Sequence, residues 1–132
     1  MYVMDTFAVL AHFQAEAGGA KVKELLERAE REEVSLAMSL INVGEMVYII
    51  GREQGRESAE TMLTDLRELP IKFYEATENR IFAAAWLKSR YSISYADAFG
   101  ASLAQELGAF LVTGDPEFKG IREGLKLFWL ER

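Results

Sequence analysis

Four acidic residues of the chain lie where an ionised carboxylate is costly. Asp5 follows the apolar segment "YVM", Asp115 follows "AFLVTG", Asp97 begins the apolar stretch "DAFGASLA", and Glu45 has mostly apolar neighbours at helical spacing. A carboxylate in such surroundings is unfavourable unless it is paired or binds a cation. Since the chain has no Cys and only one His, His12, the set suits a hard cation with oxygen ligands, Mg²⁺ or Mn²⁺.

Each acid also has a local structural explanation. Asp97 closes the pattern Ser94-x-x-Asp97, which is typical of a capping box. Asp5 and Asp115 each precede a segment that can begin a helix, so both are candidate N-caps. Glu45 can pair with a distant Lys or Arg. Capping and metal binding use different oxygens, however, and none of these explanations predicts the whole set.

The hydrophobic pattern predicts strands that alternate with helices along the chain. The predicted strands cover residues 2–4, 34–39, 71–75, 109–113 and 125–130, and the predicted helices cover 6–14, 21–33, 40–52, 56–69, 77–91 and 94–107. This order predicts a three-layer α/β/α domain with a central, mainly parallel sheet. The segment from Leu40 to Arg52 is apolar nearly all round, which predicts a helix buried on several sides, with part of it facing a second subunit.

Length and composition indicate one domain spanning residues 1–132, since the 132 residues show no linker or repeat. The net charge of −6 has the wrong sign for a broad basic nucleic-acid surface, although a cation would neutralise an acidic site locally. We expect no membrane segment, because no apolar run approaches the roughly 18 residues that a span requires. The absence of Cys permits a reducing compartment, and we expect a cytoplasmic protein.

A parallel sheet places its site outside the carboxyl ends of the strands. Asp5 and Asp115 follow predicted strands directly, and Asp97 lies in the first turn of a helix, where the helix dipole favours negative charge. We therefore expect these acids to meet at one edge of the sheet. Asn42 lies three residues before Glu45 on the same predicted helix, and we expect it to help orient that carboxylate.

Four motifs occur together in the order "MDT", "INVGEMV", "YADAFGASLA" and "VTGDPEF". In these motifs and over its whole length the sequence resembles a PIN-domain ribonuclease, and more narrowly the VapC-type toxins of prokaryotic type II toxin–antitoxin pairs. The resemblance implies that Asp5, Glu45, Asp97 and Asp115 form an acidic quartet that binds one or two Mg²⁺ or Mn²⁺ ions.

The resemblance also implies supporting residues. Thr113 matches a family Ser or Thr that supports the site, and Thr6 matches the usual hydroxyl after the first Asp. Phe7 stands where many relatives have a second small polar residue. The family often has a further acidic or polar residue after the last Asp, for which "DPEF" offers Glu117.

The implied function is a metal-dependent endoribonuclease that hydrolyses RNA phosphodiester bonds with a metal-activated water. We assign Asp5 and Asp97 to the principal metal, Asp115 to a second metal or bridging waters, and Glu45 to metal binding or water activation; the last two roles are interchangeable. The family further implies a homodimer and a cognate antitoxin that holds the toxin inactive.

Residues outside the motifs receive simpler assignments. Arg90, Lys119 and Arg122 are candidates for contact with the RNA backbone, because they are close to the motifs in sequence. His12, Trp86 and Trp129 are expected to be structural.

Two other functions are compatible with the same residues. One is a PIN-like binding module without catalysis, in which the acids have a structural role. The other is a different metal-dependent phosphoryl-transfer enzyme, such as a phosphatase or a DNA nuclease. A dinucleotide-binding site is disfavoured, because no Gly-rich fingerprint follows the first strand.

Overall fold

Five short strands form the central sheet of the protein. The computed structural model describes residues 1–121 and 124–130. The strands are β1 (Tyr2–Met4), β2 (Leu36–Ser39), β3 (Ile71–Tyr74), β4 (Phe110–Thr113) and β5 (Lys126–Trp129), in the spatial order β3-β2-β1-β4-β5. Every neighbouring pair is parallel. The predicted α/β class is therefore confirmed, with a sheet that is wholly rather than mainly parallel.

The helices occur in the predicted order. They are α1 (Thr6–Phe13), α2 (Gly19–Glu30), α3 (Leu40–Gln54), α4 (Arg56–Arg67), α5 (Glu78–Arg90) and α6 (Tyr95–Leu107), and a short 3₁₀ helix covers Pro116–Gly120. None of the helices in the described part of the chain is long and apolar enough to cross a membrane.

The helices cover both faces of the sheet because side chains alternate along each strand. Met4 packs into a core formed with α1, α2, α3 and α4. Its neighbour Val3 points the other way, into a second core formed with α5, α6 and the 3₁₀ helix. Both residues are fully buried, which explains why the strands are apolar runs rather than alternating sequences.

The order of the strands reverses beside β1. The chain runs outward from β1 through β2 to β3 and then returns to place β4 on the other side of β1. Met4 is in register with Val112, and the amide of Asp5 donates to the carbonyl of Val112 at 3.3 Å. The residues that follow β1 and β4 are therefore neighbours at a reversal point, where open parallel sheets form a crevice.

Helix α3 is buried on several sides, as predicted, except along one strip. Asn42, Val43, Met46 and Ile50 are buried, but the side chain of Leu40 is 38% exposed and that of Tyr48 is 56% exposed. The helix contacts α1, α4, α6 and β2, and the strip through Leu40 and Tyr48 is left uncovered. Hydrophobicity alone could not separate a buried face from an uncovered apolar one.

The close packing of Phe7 on Gly114 gives a test of how tightly the ends of β1 and β4 are joined. A Cβ on Gly114 would lie 2.4 Å from Cε1 of Phe7 and 3.1 Å from the carbonyl oxygen of Leu130. We expect Gly114→Ala to lower the free energy of unfolding by about 1–3 kcal/mol through overpacking, as measured by urea denaturation.

The matched control is Gly44→Ala on α3, where a Cβ would meet no atom within 4 Å. This variant should be more stable than the parent by about 0.5–1 kcal/mol, because Ala favours a helix over Gly. If both substitutions changed the free energy of unfolding by the same amount and in the same direction, the close packing at Gly114 would be contradicted.

Candidate functional site

Asp5 lies at the floor of the crevice between β1 and β4. Its side chain is 2% exposed and caps α1, since Oδ1 accepts a hydrogen bond of 2.8 Å from the amide of Ala8. It is also hydrogen-bonded to the side chain of Thr113. The expected N-cap is therefore present, and the same carboxylate faces the crevice residues of β4.

Thr113 joins the first and last acids of the predicted quartet. Its Oγ1 accepts a hydrogen bond of 3.0 Å from the amide of Asp115. A hydroxyl has one proton to donate, and here the carboxylate of Asp5 is its partner. The fully buried Thr113 thus links Asp5 and Asp115 through its hydroxyl.

Asp115 and Glu117 are arranged by the 3₁₀ helix that follows β4. Oδ1 of Asp115 accepts a hydrogen bond of 3.0 Å from the amide of Glu117. Pro116 occupies the first helical position, where its missing N–H has no consequence. This tight turn directs the carboxylate of Glu117 back toward the site, which the sequence had left undetermined.

Asp97 enters the site from the first turn of α6. The helix begins with Ser94 as its N-cap, and Oγ of Ser94 accepts a hydrogen bond of 3.1 Å from the amide of Asp97. The Asp97 carboxylate is half-buried. The Ser94-x-x-Asp97 pattern is thus a real cap, and it also places the acid at the crevice.

Three carboxylates meet at this point. Oxygens of Asp97, Asp115 and Glu117 all lie within 4.8 Å of one another. Three negative groups at such distances repel unless protons or a cation intervene, and an all-oxygen set is the type that Mg²⁺ and Mn²⁺ prefer. We call Asp97, Asp115 and Glu117 the acidic cluster, and its chemistry fits a hard divalent cation.

Burial and mutual repulsion raise the pKa values of two acids. The pKa of Asp5 rises to about 7, chiefly because burial disfavours its charge, and the negative charges of Asp97 and Asp115 add to this; hydrogen bonds from Thr113 and Ala8 oppose it. The pKa of Asp97 rises to about 6, mainly through burial and then through Asp115. The charges of Asp97 and Asp115 therefore act on Asp5, and the charges of Asp115, Glu45 and Glu117 act on Asp97.

Glu45 lies at the edge of this group. It is half-buried on α3, so it is more exposed to solvent than its apolar helical neighbours indicate. Its charge contributes to the raised pKa of Asp97, which places it within electrostatic range. Like Asp5, it is not one of the three residues whose carboxylate oxygens lie within 4.8 Å of one another.

The other two expected supporting residues bond away from the carboxylates. Oγ1 of Thr6 donates to the backbone carbonyl of Asn42 at 3.3 Å. Nδ2 of Asn42 donates to the carbonyl of Ala96 at 3.1 Å. Within the described residues, Asn42 therefore hydrogen-bonds to α6 rather than to Glu45.

The basic candidates have different surroundings. Lys119 lies in the same 3₁₀ helix as Glu117, and its Nζ is 4.1 Å from the ring centroid of Trp129. Arg90 is exposed at the end of α5, with its guanidinium 5.9 Å from the ring centroid of Tyr91. Arg122 lies outside the described residues.

Two of the three residues expected to be structural fit that description. His12 is half-buried and packs edge-on against Phe13 at 5.4 Å, and Trp129 is half-buried in β5. Trp86 is different, because its side chain is 72% exposed on α5. Burial therefore supports a structural role for His12 and Trp129, and the role of Trp86 stays a prediction.

Comparison with known proteins identifies relatives of the same fold. The profile of one protein family, the PIN domain, matches residues 2–124. The structure of VapBC2 from Rickettsia felis, bound to a DNA fragment from its promoter, matches with a TM-score of 0.77 and 22% identity over 98% of each chain. A toxin–antitoxin complex from Klebsiella pneumoniae matches with a TM-score of 0.64 and 19% identity over 95% of each chain.

The sarcin–ricin loop cleaving toxin VapC20 from Mycobacterium tuberculosis is a further match. Its TM-score is 0.71 at 17% identity, over 93% of this chain and 98% of that one. Identities this low establish likeness of fold. The search of curated proteins found no significant match.

The raised pKa values predict how stability depends on pH when EDTA removes divalent cations. The folded chain holds more protons than the unfolded chain between the ordinary aspartate value of 3.8 and the values of about 6 for Asp97 and about 7 for Asp5. The free energy of unfolding therefore decreases as pH rises through this window. We expect the Tm in EDTA to be several degrees lower at pH 8 than at pH 5, as measured by circular dichroism.

In the Asp5→Asn variant the Tm in EDTA should decrease less between pH 5 and pH 8, because the substitution removes the carboxyl group whose pKa is raised most. Asp65→Asn, at an exposed acid of α4, should keep the decrease of the parent. A parent Tm that rises from pH 5 to pH 8 in EDTA would be incompatible with the raised values.

Proposed function

This chain belongs to the PIN-domain family, and from that membership we propose that it is a divalent-metal-dependent endoribonuclease, the toxin of a toxin–antitoxin pair. The observation that carries the proposal is the convergence of Asp97, Asp115 and Glu117 beside the buried Asp5 at the reversal point of the sheet. We also propose that residues 1–132 act as one domain, and that the protein works in the cytoplasm, where RNA is present.

The residues of the acidic cluster would hold Mg²⁺ or Mn²⁺, with Asp5 contributing from the floor of the crevice. The bound cation would lower the pKa of a water molecule and neutralise charge on the phosphate. Thr113 keeps Asp5 and Asp115 in place through its two hydrogen bonds. Glu45, at the edge of the site, is the candidate to accept the proton of the attacking water at a carboxylate oxygen.

The cation has a second role in this proposal, which is substrate binding. The site gathers negative charge, and the whole chain carries −6, so an RNA phosphate would be repelled from the empty site. Lys119 lies close to Glu117 in sequence and is the candidate to contact the RNA backbone on that side. We therefore expect the cation to be required for binding RNA as well as for cleaving it.

RNA as the substrate and an antitoxin as the partner are supported by relatives of the same fold. The Mycobacterium tuberculosis relative is a toxin that cleaves the sarcin–ricin loop, and the Klebsiella pneumoniae relative is part of a toxin–antitoxin complex. We propose an antitoxin that binds this chain and blocks its site. The product of a neighbouring gene is the candidate, and failure of any such product to bind would contradict this part of the proposal.

We further propose a homodimer that covers the outer surface of α5. Ala84 and Leu87 are the buried residues of this helix. The side chains of Ile81, Phe82 and Trp86 are 36%, 55% and 72% exposed. Two large aromatic residues one helical turn apart make an uncovered apolar patch, which is typical of a protein–protein contact.

Cleavage of RNA tests the enzymatic proposal directly. Purified protein is incubated with an end-labelled, mixed RNA pool in Mg²⁺, Mn²⁺ or EDTA. We expect cleavage that requires the cation and that falls at least about 100-fold in Asp97→Asn, because even residues that only support a metal ligand can contribute up to that factor.

The control variant is Asp65→Asn, which makes the same chemical change at an exposed position of α4 and should cleave like the parent. If the double variant Asp5→Asn, Asp97→Asn cleaved RNA as well as the parent, the assignment of the site would be wrong. Cleavage of DNA in place of RNA would instead identify a DNA nuclease.

Oligomeric state tests the role of α5. We expect the parent to be a dimer by sedimentation equilibrium and Trp86→Glu to shift it toward monomer, because the charge would be buried in the contact. Lys88→Glu, at an exposed position of the same helix, should remain dimeric. A monomeric parent, or a Trp86→Glu variant that dimerises like the parent, would contradict the homodimer on this surface.

A further inference from the structure

Asn42 is a buried polar residue of α3 whose hydrogen bonds reach two other helices. It is 0% exposed. Its Nδ2 donates to the carbonyl of Ala96 in α6 at 3.1 Å, and its own backbone carbonyl accepts from Oγ1 of Thr6 in α1 at 3.3 Å. One residue therefore ties α3 to both α1 and α6.

Each of these contacts lies beside one of the acids. The bonded carbonyl of Ala96 belongs to the residue before Asp97, and the bonded hydroxyl of Thr6 belongs to the residue after Asp5. Glu45 lies on α3 itself, less than one helical turn further along. The side chain of Asn42 thus sits among the backbone segments that carry three carboxylates, without bonding to any of them.

The other atom of the amide has no hydrogen-bond partner within the described residues. Oδ1 of Asn42 is buried and unpaired. The amide cannot simply be reversed, because its oxygen would then face the carbonyl oxygen of Ala96 and two acceptors repel. Oδ1 instead faces Gly100, where a Cβ would lie only 3.2 Å from it.

This arrangement argues against a purely space-filling role. An unpaired buried acceptor is unfavourable, and an apolar side chain of similar size would fill the same volume without it. An apolar side chain lacks the directional N–H that engages the carbonyl of Ala96. The absence of a side chain at Gly100 allows α6 to approach closely enough for this bond to form.

We infer that Asn42 is a positioning residue that fixes the first turn of α6, and with it the Asp97 carboxylate, relative to α1 and α3, and so sets the affinity of the acidic cluster for its divalent cation. The inference rests on the proposed metal-dependent function. Asn42 acts through Ala96 and Thr6, without touching the cation or the RNA.

The test measures Mn²⁺ affinity separately from stability. The purified chain is titrated with Mn²⁺, free Mn²⁺ is followed by electron paramagnetic resonance, and the Tm is recorded in EDTA. Asn42→Leu removes the N–H donor at similar volume. Gly100→Ala keeps the Nδ2 donor of Asn42 and places a methyl group against its Oδ1. Asn79→Leu is the control, since Asn79 is exposed near the start of α5.

We expect Asn42→Leu to weaken Mn²⁺ binding by about tenfold or more, the range found for residues that orient metal ligands. Gly100→Ala should weaken binding by a smaller factor, because the donor of Asn42 remains while the new Cβ presses on its Oδ1. Asn79→Leu should bind Mn²⁺ like the parent. RNA cleavage by the first two variants should recover when Mn²⁺ is raised.

Unchanged Mn²⁺ affinity in both Asn42→Leu and Gly100→Ala would overturn the inference and leave the proposed nuclease intact. An affinity that decreases only when the Tm decreases would also overturn it, since that result describes a residue that merely stabilises the fold. A parent chain that binds no Mn²⁺ would contradict the proposed metal site itself, and the positioning role with it.

Discussion

Repulsion between carboxylates is the interaction on which the arrangement of the sheet edge depends. Asp97, Asp115 and Glu117 have oxygens within 4.8 Å of one another, and the charge of Asp5 acts on the same group. Groups of like charge would separate if their backbones were free to move. The fold prevents this separation because each aspartate lies at the beginning of a helix. There the first backbone N–H groups have no partner within the helix, and capping side chains accept their hydrogen bonds.

The parallel sheet makes this arrangement possible. The parallel register between β1 and β4 brings the residues that follow both strands together. Each helix runs antiparallel to the strand beside it, so the N-termini of α1 and α6 lie at the same edge of the sheet. Four chain segments that are far apart in sequence therefore meet without a long loop. The same packing leaves α5 mostly uncovered on its outer side.

The sequence allowed prediction of the features that depend on local patterns. The alternation of strands and helices, the positions of Asp5 and Asp115 after strands, and the Ser94 cap all follow from neighbours within a few residues. Contacts between distant segments could not be predicted in this way. Asn42 and Ala96 are 54 residues apart, and no local pattern pairs them. The carboxylate of Glu117 likewise meets that of Asp97, which lies on a different helix, and no local pattern shows this.

The buried carboxyl group of Asp5 has a consequence for how a cation would enter the site. With a pKa of about 7 for Asp5 and about 6 for Asp97, part of the site carries protons near neutrality. Binding a cation requires deprotonated ligands, so each ion that enters displaces protons into the solvent. Under the proposed metal-dependent function, the crevice would exchange protons for metal, and the fraction of the chain that holds a cation at a given cation concentration would rise with pH.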